Sequence, residues 1–324
     1  MAAMAALDLG TNNCRLLVAR ARDPGFEVLE SFSRIVRLGE GVATTGRLSA
    51  AAEERTLQAL RICARIMARR RVGPTRCVAT AACRRADNGP AFLERVERTT
   101  GLAFEILDGA EESRLALLGC LPLVEDRARH VLVLDIGGGS TELAWLDRAG
   151  ARPVLAHSIS LPIGVVGLAE QFGEVVDDAA YAAMVASVSA RLEPLACDLP
   201  RLDWAAPEVQ MIGTSGTVTT LAALHLGLER YERRRVDGVE VVFEALRPVA
   251  TRLRGMTLAE REAHRCIGPG RADLVVAGSA ILEAAHALWP VPRLRVADRG
   301  LREGILHELA RADLDPAPSL ALSA

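Results

Sequence analysis

The chain contains no lysine; all 39 of its basic residues are arginines. Genomic base composition accounts for part of this, but the chemical consequence stands. A Walker A lysine and any Schiff-base step are excluded, so a bound phosphate has to be held by backbone amides, hydroxyls, arginines or a metal. Long apolar runs are missing too, none reaching the roughly 18 residues of a membrane span. The opening "MAAMAALDLG" has no basic leader and runs straight into an expected strand, so no signal peptide is expected. The seven cysteines (Cys14, Cys63, Cys77, Cys83, Cys120, Cys197, Cys266) show no C-x-x-C spacing. An odd, scattered set fits reduced thiols in a cytoplasmic protein better than a disulfide frame or a zinc site. Nor is there an excess of positive charge. A net charge of −2 argues against nucleic acid as a partner, and the lack of spans argues against a membrane.

What is present is apolar residue in quantity: 50% of 324 residues, enough for about two domains. Short strand-like runs alternate with longer helical patterns, which predicts an α/β fold. Strands are expected over 4–10, 14–21, 26–38, 75–82, 104–107, 130–137, 141–147, 154–161, 209–214 and 293–298. Helices are expected over 49–70, 89–100, 110–121, 178–196, 215–226, 243–254, 271–289 and 300–312. The pattern breaks near "LPLVEDRAR", giving a first domain over 1–120 that recruits the helix 299–312, a second over 121–298, and a flexible tail over 313–324.

A weak repeat crosses that boundary. "LDLGTNNCRLLVA" (Leu7–Ala19) aligns with "LDIGGGSTELAWL" (Leu134–Leu146), each reading as a hairpin with a polar, glycine-containing turn. Such turns allow close ligand approach, and their successive amides form an anion nest. Ser140 and Thr141 add hydroxyls. A third stretch, "MIGTSGTVTTLAAL" (Met211–Leu224), runs strand, Gly/Ser/Thr turn, helix, and aims a helix N-terminus at an anion. Any one glycine turn serves equally well as a plain hairpin; a further Asp-x-Gly at Asp298–Gly300 is of the kind expected by chance. The set of three predicts bound phosphate.

Acids flank these turns: Asp8, Asp135 and Glu142, with Glu111 and Glu112 at a helix start. At 5 Å and an effective dielectric constant of 20, each carboxylate–phosphate pair costs about 3 kcal/mol. A divalent cation is therefore expected, and oxygen ligands suit Mg²⁺. A carboxylate left off the metal can deprotonate water.

Together these segments resemble the exopolyphosphatase/guanosine pentaphosphate phosphohydrolase (Ppx/GppA) family over nearly the whole chain. "ALDLGTNNCRLLVA" and "VLDIGGGSTELA" are similar to its two phosphate loops, and "ILDGAEESRLALLG", "IGTSGTVTTLA" and "VADRGLREGIL" to later blocks. The resemblance implies two actin-like, ribonuclease-H-like domains with a cleft between them. It implies Glu112 as the carboxylate that activates water, and Asp135 and Glu142 as catalytic acids handling metal and phosphate, with Asp8 a further metal candidate. Phosphate would be held by Gly10, Thr11, Asn12 and Asn13; by Gly137, Gly138, Gly139, Ser140 and Thr141; by Gly213, Ser215, Gly216 and Thr217; and by Arg84. Asp298 and Arg302 match the closing block, where a structural role is expected. Three positions depart from the family pattern: Ser113 for Ala, Cys83 for Leu, and Gly167 where an arginine is usual. Longer members carry a C-terminal helical domain resembling HD phosphohydrolases; the resemblance here stops at Ala324, so a less processive grip on long chains is expected.

The implied activity is Mg²⁺-dependent removal of terminal phosphate from inorganic polyphosphate. Hydrolysis of guanosine pentaphosphate (pppGpp) is the alternative, and a kinase of the same superfold or a non-catalytic sensor are further ones. The family implies a homodimer. The arginine-rich 61–73 reads as a solvated basic helix face, with attraction of a polyanion the alternative, and the six histidines as structural.

Overall fold

The computed structural model describes all residues except 1, 24, 151–152, 174, 197–198, 200, 315–320 and 323–324. The chain divides into two compact units, one formed by residues 1–119 and the chain from 301 to 319, the other by residues 120–300 and 320–324.

In the first unit β1 (Ala3–Leu9), β2 (Asn13–Ala21), β3 (Phe26–Ile35), β4 (Val72–Ala79) and β5 (Glu105–Ile106) form one sheet in the order β3-β2-β1-β4-β5. β1 is antiparallel to β2 and parallel to β4. Its sequence AMAALDL is buried almost throughout, as a central strand covered on both faces must be. The helices are α1 (Val42–Thr45), α2 (Ala50–Arg69), α3 (Ala81–Arg85), α4 (Gly89–Thr100) and α5 (Gly109–Cys120). Leu57, Leu60 and Cys63 of α2, with Phe92 and Val96 of α4, close a core over Leu7, Leu9 and Leu16.

The second unit repeats the plan. β6 (His130–Ile136), β7 (Thr141–Asp147) and β8 (Val154–Leu161) form an antiparallel meander. β9 (Val209–Thr214) is parallel to β6, β10 (Glu240–Val242) is an edge, and β11 (Arg293–Ala297) is parallel to β9. Read as β8-β7-β6-β9-β11, the strand order is that of the first unit. Helices α6 (Val165–Phe172), α7 (Asp178–Ala196), α8 (Ser215–His225), α9 (Arg233–Val236), α10 (Arg247–Gly255), α11 (Leu258–Ala263) and α12 (Val275–Leu288) complete it. Its core holds Leu132, Leu134, Leu143, Trp145 and Trp289. The last helix, α13 (Leu301–Leu314), belongs to the first unit, and β12 (Ala321–Leu322) pairs with β8 of the second. Most of the expected tail over 313–324 lies outside the described residues.

The α5–α13 contact is close enough to depend on a missing side chain. A β-carbon at Gly304 would overlap the carbonyl oxygen of Leu115. Gly304→Ala is therefore expected to destabilise the protein by about 1–3 kcal/mol, read as a lower Tm in thermal unfolding. An unchanged Tm would contradict this packing.

Candidate active site

The two repeated hairpins share their register. Asp8 faces Arg15 and Leu9 faces Cys14 across β1–β2; 127 positions on, Asp135 faces Glu142 and Ile136 faces Thr141 across β6–β7. Each turn is closed by the same bond: Gly10 N–H donates to the Asn13 carbonyl at 2.9 Å, and Gly137 N–H to the Ser140 carbonyl at 2.9 Å.

The first turn is gripped from outside by the chain following β3. The amides of Val36 and Arg37 donate to the Asn12 carbonyl, and that of Gly39 to the Thr11 carbonyl at 2.9 Å. A side chain at Gly39 would overlap the Thr11 methyl, so only glycine lets this segment close in. With the carbonyls drawn outward, Thr11 Oγ1 and Asn12 Oδ1 remain buried without a hydrogen-bond partner among the described residues. Buried orphans of this kind are uncommon and are where a ligand is expected. Asp8 lies below the turn. Burial pushes its carboxyl up, against the pull of the Arg15 and Arg302 guanidiniums.

Glu112 stands in the first turn of α5, 8% exposed. Arg84 Nη1 donates to its carboxylate at 3.1 Å and to the Leu107 carbonyl at 2.6 Å. Arg84 makes no other hydrogen bond among the described residues, so Nε and Nη2 retain their donors. The sequence predicts a strand through 82. Instead β4 ends at Ala79 and Arg84 N–H donates to the Thr80 carbonyl, turning the chain into α3 and aiming Arg84 at α5.

The neighbouring Glu111 faces elsewhere. Arg114 reaches it at 2.7 and 2.9 Å and Arg76 at 2.8 Å, and both arginines also bind Glu308 of α13. Burial pushes the Glu111 carboxyl up, but those bonds outweigh it and hold it below the usual carboxylate range. A depressed folded value means stability that is present above the unfolded value and lost as pH falls through the folded one. The Tm advantage of wild type over Glu111→Gln should therefore shrink from about pH 5 to about pH 3; a constant gap would contradict it.

In the second unit the triple-glycine turn is held by the start of α6. Val165 and Val166 amides donate to the Gly137 and Gly138 carbonyls at 3.0 and 2.9 Å. A β-carbon at Gly164 would overlap the Gly138–Gly139 peptide, and one at Gly137 would lie 2.8 Å from the Ser140 carbonyl. Gly167 follows this anchor directly, within α6. Ser140 is buried in that turn. The Thr141 hydroxyl donates to the Ile163 carbonyl at 2.7 Å.

The third turn joins the second through Ser215, whose hydroxyl donates to the Ile136 carbonyl at 2.5 Å. Ser215 has φ of 85°, a left-handed conformation costing a non-glycine residue about 1–3 kcal/mol and typical of functional turns. Gly216 opens α8 with the Arg271 guanidinium over it; a β-carbon there would lie 3.2 Å from Cζ. Two expected members also pack closely. Gly213 lies within β9 against Val218 and Leu294, and Thr217 fits against Gly278 of α12. The supposedly chance Asp-x-Gly places Gly300 near Thr214 and Asp135, while Asp298 accepts from Tyr231 at 2.6 Å.

Asp135 and Glu142 share a face as cross-strand partners. Glu142 is 2% exposed and accepts from Ser160 of β8 at 3.0 Å. Ser160 gave no signal beyond its strand. No group of three or more His, Cys, Asp or Glu able to hold a metal occurs among the described residues. Two carboxylates still fit Mg²⁺, which keeps several waters and takes its remaining ligands from substrate phosphate.

Two ribonuclease-H-like units with duplicated glycine hairpins define the actin-like class of α/β proteins. Within it, the chain belongs to the Ppx/GppA phosphatase family, whose family model matches residues 17–312. It is 33% identical to "Exopolyphosphatase 2" of Mycobacterium tuberculosis over 95% of this chain and 98% of that one. It is 30% identical to "Guanosine-5'-triphosphate,3'-diphosphate pyrophosphatase" of Aeromonas salmonicida over 94% of this chain but 59% of that one. Among solved structures, an exopolyphosphatase-like protein aligns with a TM-score of 0.87 at 32% identity, covering 97% of this chain and 99% of that one. The Aquifex aeolicus Ppx/GppA member aligns at 0.79 and 29%, with the same coverage. No helix among the described residues is long and apolar enough to cross a membrane.

Proposed function

We propose that this protein is an exopolyphosphatase, removing the terminal phosphate of inorganic polyphosphate by attack of water, with Mg²⁺ as cofactor. The observation that carries the reading is Glu112, a nearly buried carboxylate fixed by Arg84 in a chain that also holds two phosphate-type hairpins. In this reading the turn amides and the orphaned Thr11 hydroxyl hold the terminal phosphate. Glu112 accepts the proton of the attacking water, and Arg84 keeps the carboxylate oriented while its unused donors meet phosphate oxygens. Asp135 and Glu142 would hold Mg²⁺, which when bound neutralises charge on the phosphate oxygens.

Polyphosphate is favoured over pppGpp because the exopolyphosphatase relative matches along 98% of its length, against 59% for the pyrophosphatase. The second reading rests on that 30% identity and uses the same chemistry. A panel of polyphosphates, pppGpp and ATP, scored for orthophosphate release with and without Mg²⁺, decides. Release from polyphosphate only with Mg²⁺ is expected. A higher kcat/KM for pppGpp reverses the order, and transfer of phosphate from ATP to an acceptor makes the protein a kinase.

A further inference from the structure

Each repeated turn is held by the segment that follows the third strand of its meander. In the second unit that segment opens α6. The Val165 and Val166 amides donate to the Gly137 and Gly138 carbonyls, and Leu168 N–H donates to the Gly164 carbonyl, so a helix keeps them in place. In the first unit the same task falls to residues 36–41, which form neither helix nor strand. The Val36 and Arg37 amides converge on the Asn12 carbonyl at 2.9 and 3.1 Å, and the Gly39 amide donates to the Thr11 carbonyl at 2.9 Å. Two short-range bonds close the segment on itself: Glu40 N–H to the Arg37 carbonyl at 3.2 Å, and Val42 N–H to the Gly39 carbonyl at 3.1 Å.

The segment is also strained. Arg37 has φ of 46°, in the left-handed region, which a non-glycine residue keeps only where its surroundings over-determine it. While the amides of Val36 and Arg37 are spent on the turn, their carbonyls are taken by Arg55 of α2. Its Nε donates to the Val36 carbonyl at 3.1 Å, and its Nη2 to the Arg37 carbonyl at 3.4 Å and the Glu40 carboxylate at 2.8 Å. Three acceptors on one planar fork fix the direction of both peptides, which a lysine ammonium would not do. The fork stands on a firm base, since α2 runs 20 residues, is capped by Ser49 and buries Leu57 and Leu60 in the core. Burial of Val36 and Leu38 anchors the side chains of the segment but leaves the direction of its peptides to these bonds. The Arg55–Glu40 ion pair is exposed, 43% and 53% at its two side chains, and contributes little stability by itself.

We propose that Arg55 is a positioning residue for the substrate. It acts through Val36 and Arg37, whose amides set the first turn and with it the Thr11 hydroxyl and the turn's own N–H groups. That the turn receives phosphate rests on the exopolyphosphatase reading; that Arg55 sets the turn does not. The second turn has a helix for the same purpose.

Hydrogen exchange and anion binding test this together. Arg55→Ala should speed exchange of the Val36, Arg37 and Gly39 amides about tenfold or more and leave that of Val165 and Val166 unchanged. Calorimetry in EDTA with tripolyphosphate should show its affinity weakened about tenfold, the worth of one well-placed hydrogen bond. Its Tm should stay within about 2 °C of wild type, because the side chain is exposed. Arg55→Lys should recover part of the affinity, one donor group reaching part of the acceptor set. Glu40→Ala leaves both carbonyl bonds in place and should bind within about twofold of wild type. Unchanged exchange at residues 36–39, or unchanged affinity, in Arg55→Ala overturns the proposal. Faster exchange at Val165 and Val166 as well would mark a general loss of stability and overturn it too, and an equal loss in Glu40→Ala would assign the effect to the ion pair and do the same. A wild type that neither binds tripolyphosphate nor releases orthophosphate sinks the exopolyphosphatase reading and this proposal with it. A wild type that does both, beside an Arg55→Ala that binds equally well, sinks this proposal alone.

Discussion

Glu112→Gln is expected to lower kcat for polyphosphate by about 10³-fold while leaving KM within about threefold of wild type. The substitution is nearly isosteric. The glutamine carbonyl oxygen can still accept from Arg84 Nη1, which holds the carboxylate at 3.1 Å and remains fixed by the Leu107 carbonyl. What is lost is the capacity to take a proton from water. The neighbouring Glu111→Gln separates this role from mere acidity at the helix start. Glu111 is committed to Arg114 and Arg76, so its loss should cost stability with little direct effect on the chemical step. Orthophosphate release at saturating substrate makes the comparison; a Glu112→Gln enzyme within threefold of wild-type kcat would remove Glu112 from the chemistry.

The second large effect is expected at a residue carrying no chemistry. Gly164→Ala places a methyl group where the Gly138–Gly139 peptide now lies. The obstructing atoms are backbone, so no rotamer change relieves the clash, and the turn has to shift by about an ångström. The Val165 and Val166 amides that fix the Gly137 and Gly138 carbonyls would be displaced with it. Misplacement on that scale costs about 10² in rate, so kcat/KM should fall about 100-fold or more. Ile163, Val165 and Val166 beside this contact belong to the second unit's core, so the Tm should fall as well, while the rest of that core around Leu132, Trp145 and Trp289 should keep unfolding cooperative. Full activity in Gly164→Ala would show that the triple-glycine turn is not the phosphate cradle.

The regular elements were legible in the sequence because their periodicity is strong. Helices 89–100 and 178–196 occupy the expected spans, and the β1–β2 and β6–β7 hairpins carry the repeat in matched register. Lost were the pieces whose form is set by contacts distant in sequence. Helix α3 is five residues long, too short for any period, and exists because the chain must turn after β4. Helix α6 begins "VVG", a poor helix-forming start, and is nucleated by donating its first amides to the glycine turn. The same limit applies within the site. Thr141 and Gly213 resemble phosphate ligands by motif, and the motif does not show that the Thr141 hydroxyl donates to the Ile163 carbonyl or that Gly213 packs within β9. Ser160, Gly39 and Gly164 support the turns from segments that show nothing unusual when read alone.

The most direct test of the central claim is hydrolysis of polyphosphate in water enriched in oxygen-18, with the released orthophosphate analysed by mass spectrometry. Attack of water on the terminal phosphorus predicts one heavy oxygen in every orthophosphate released and none in the shortened chain. Label in the chain instead, or no orthophosphate with Mg²⁺ present, would contradict the account.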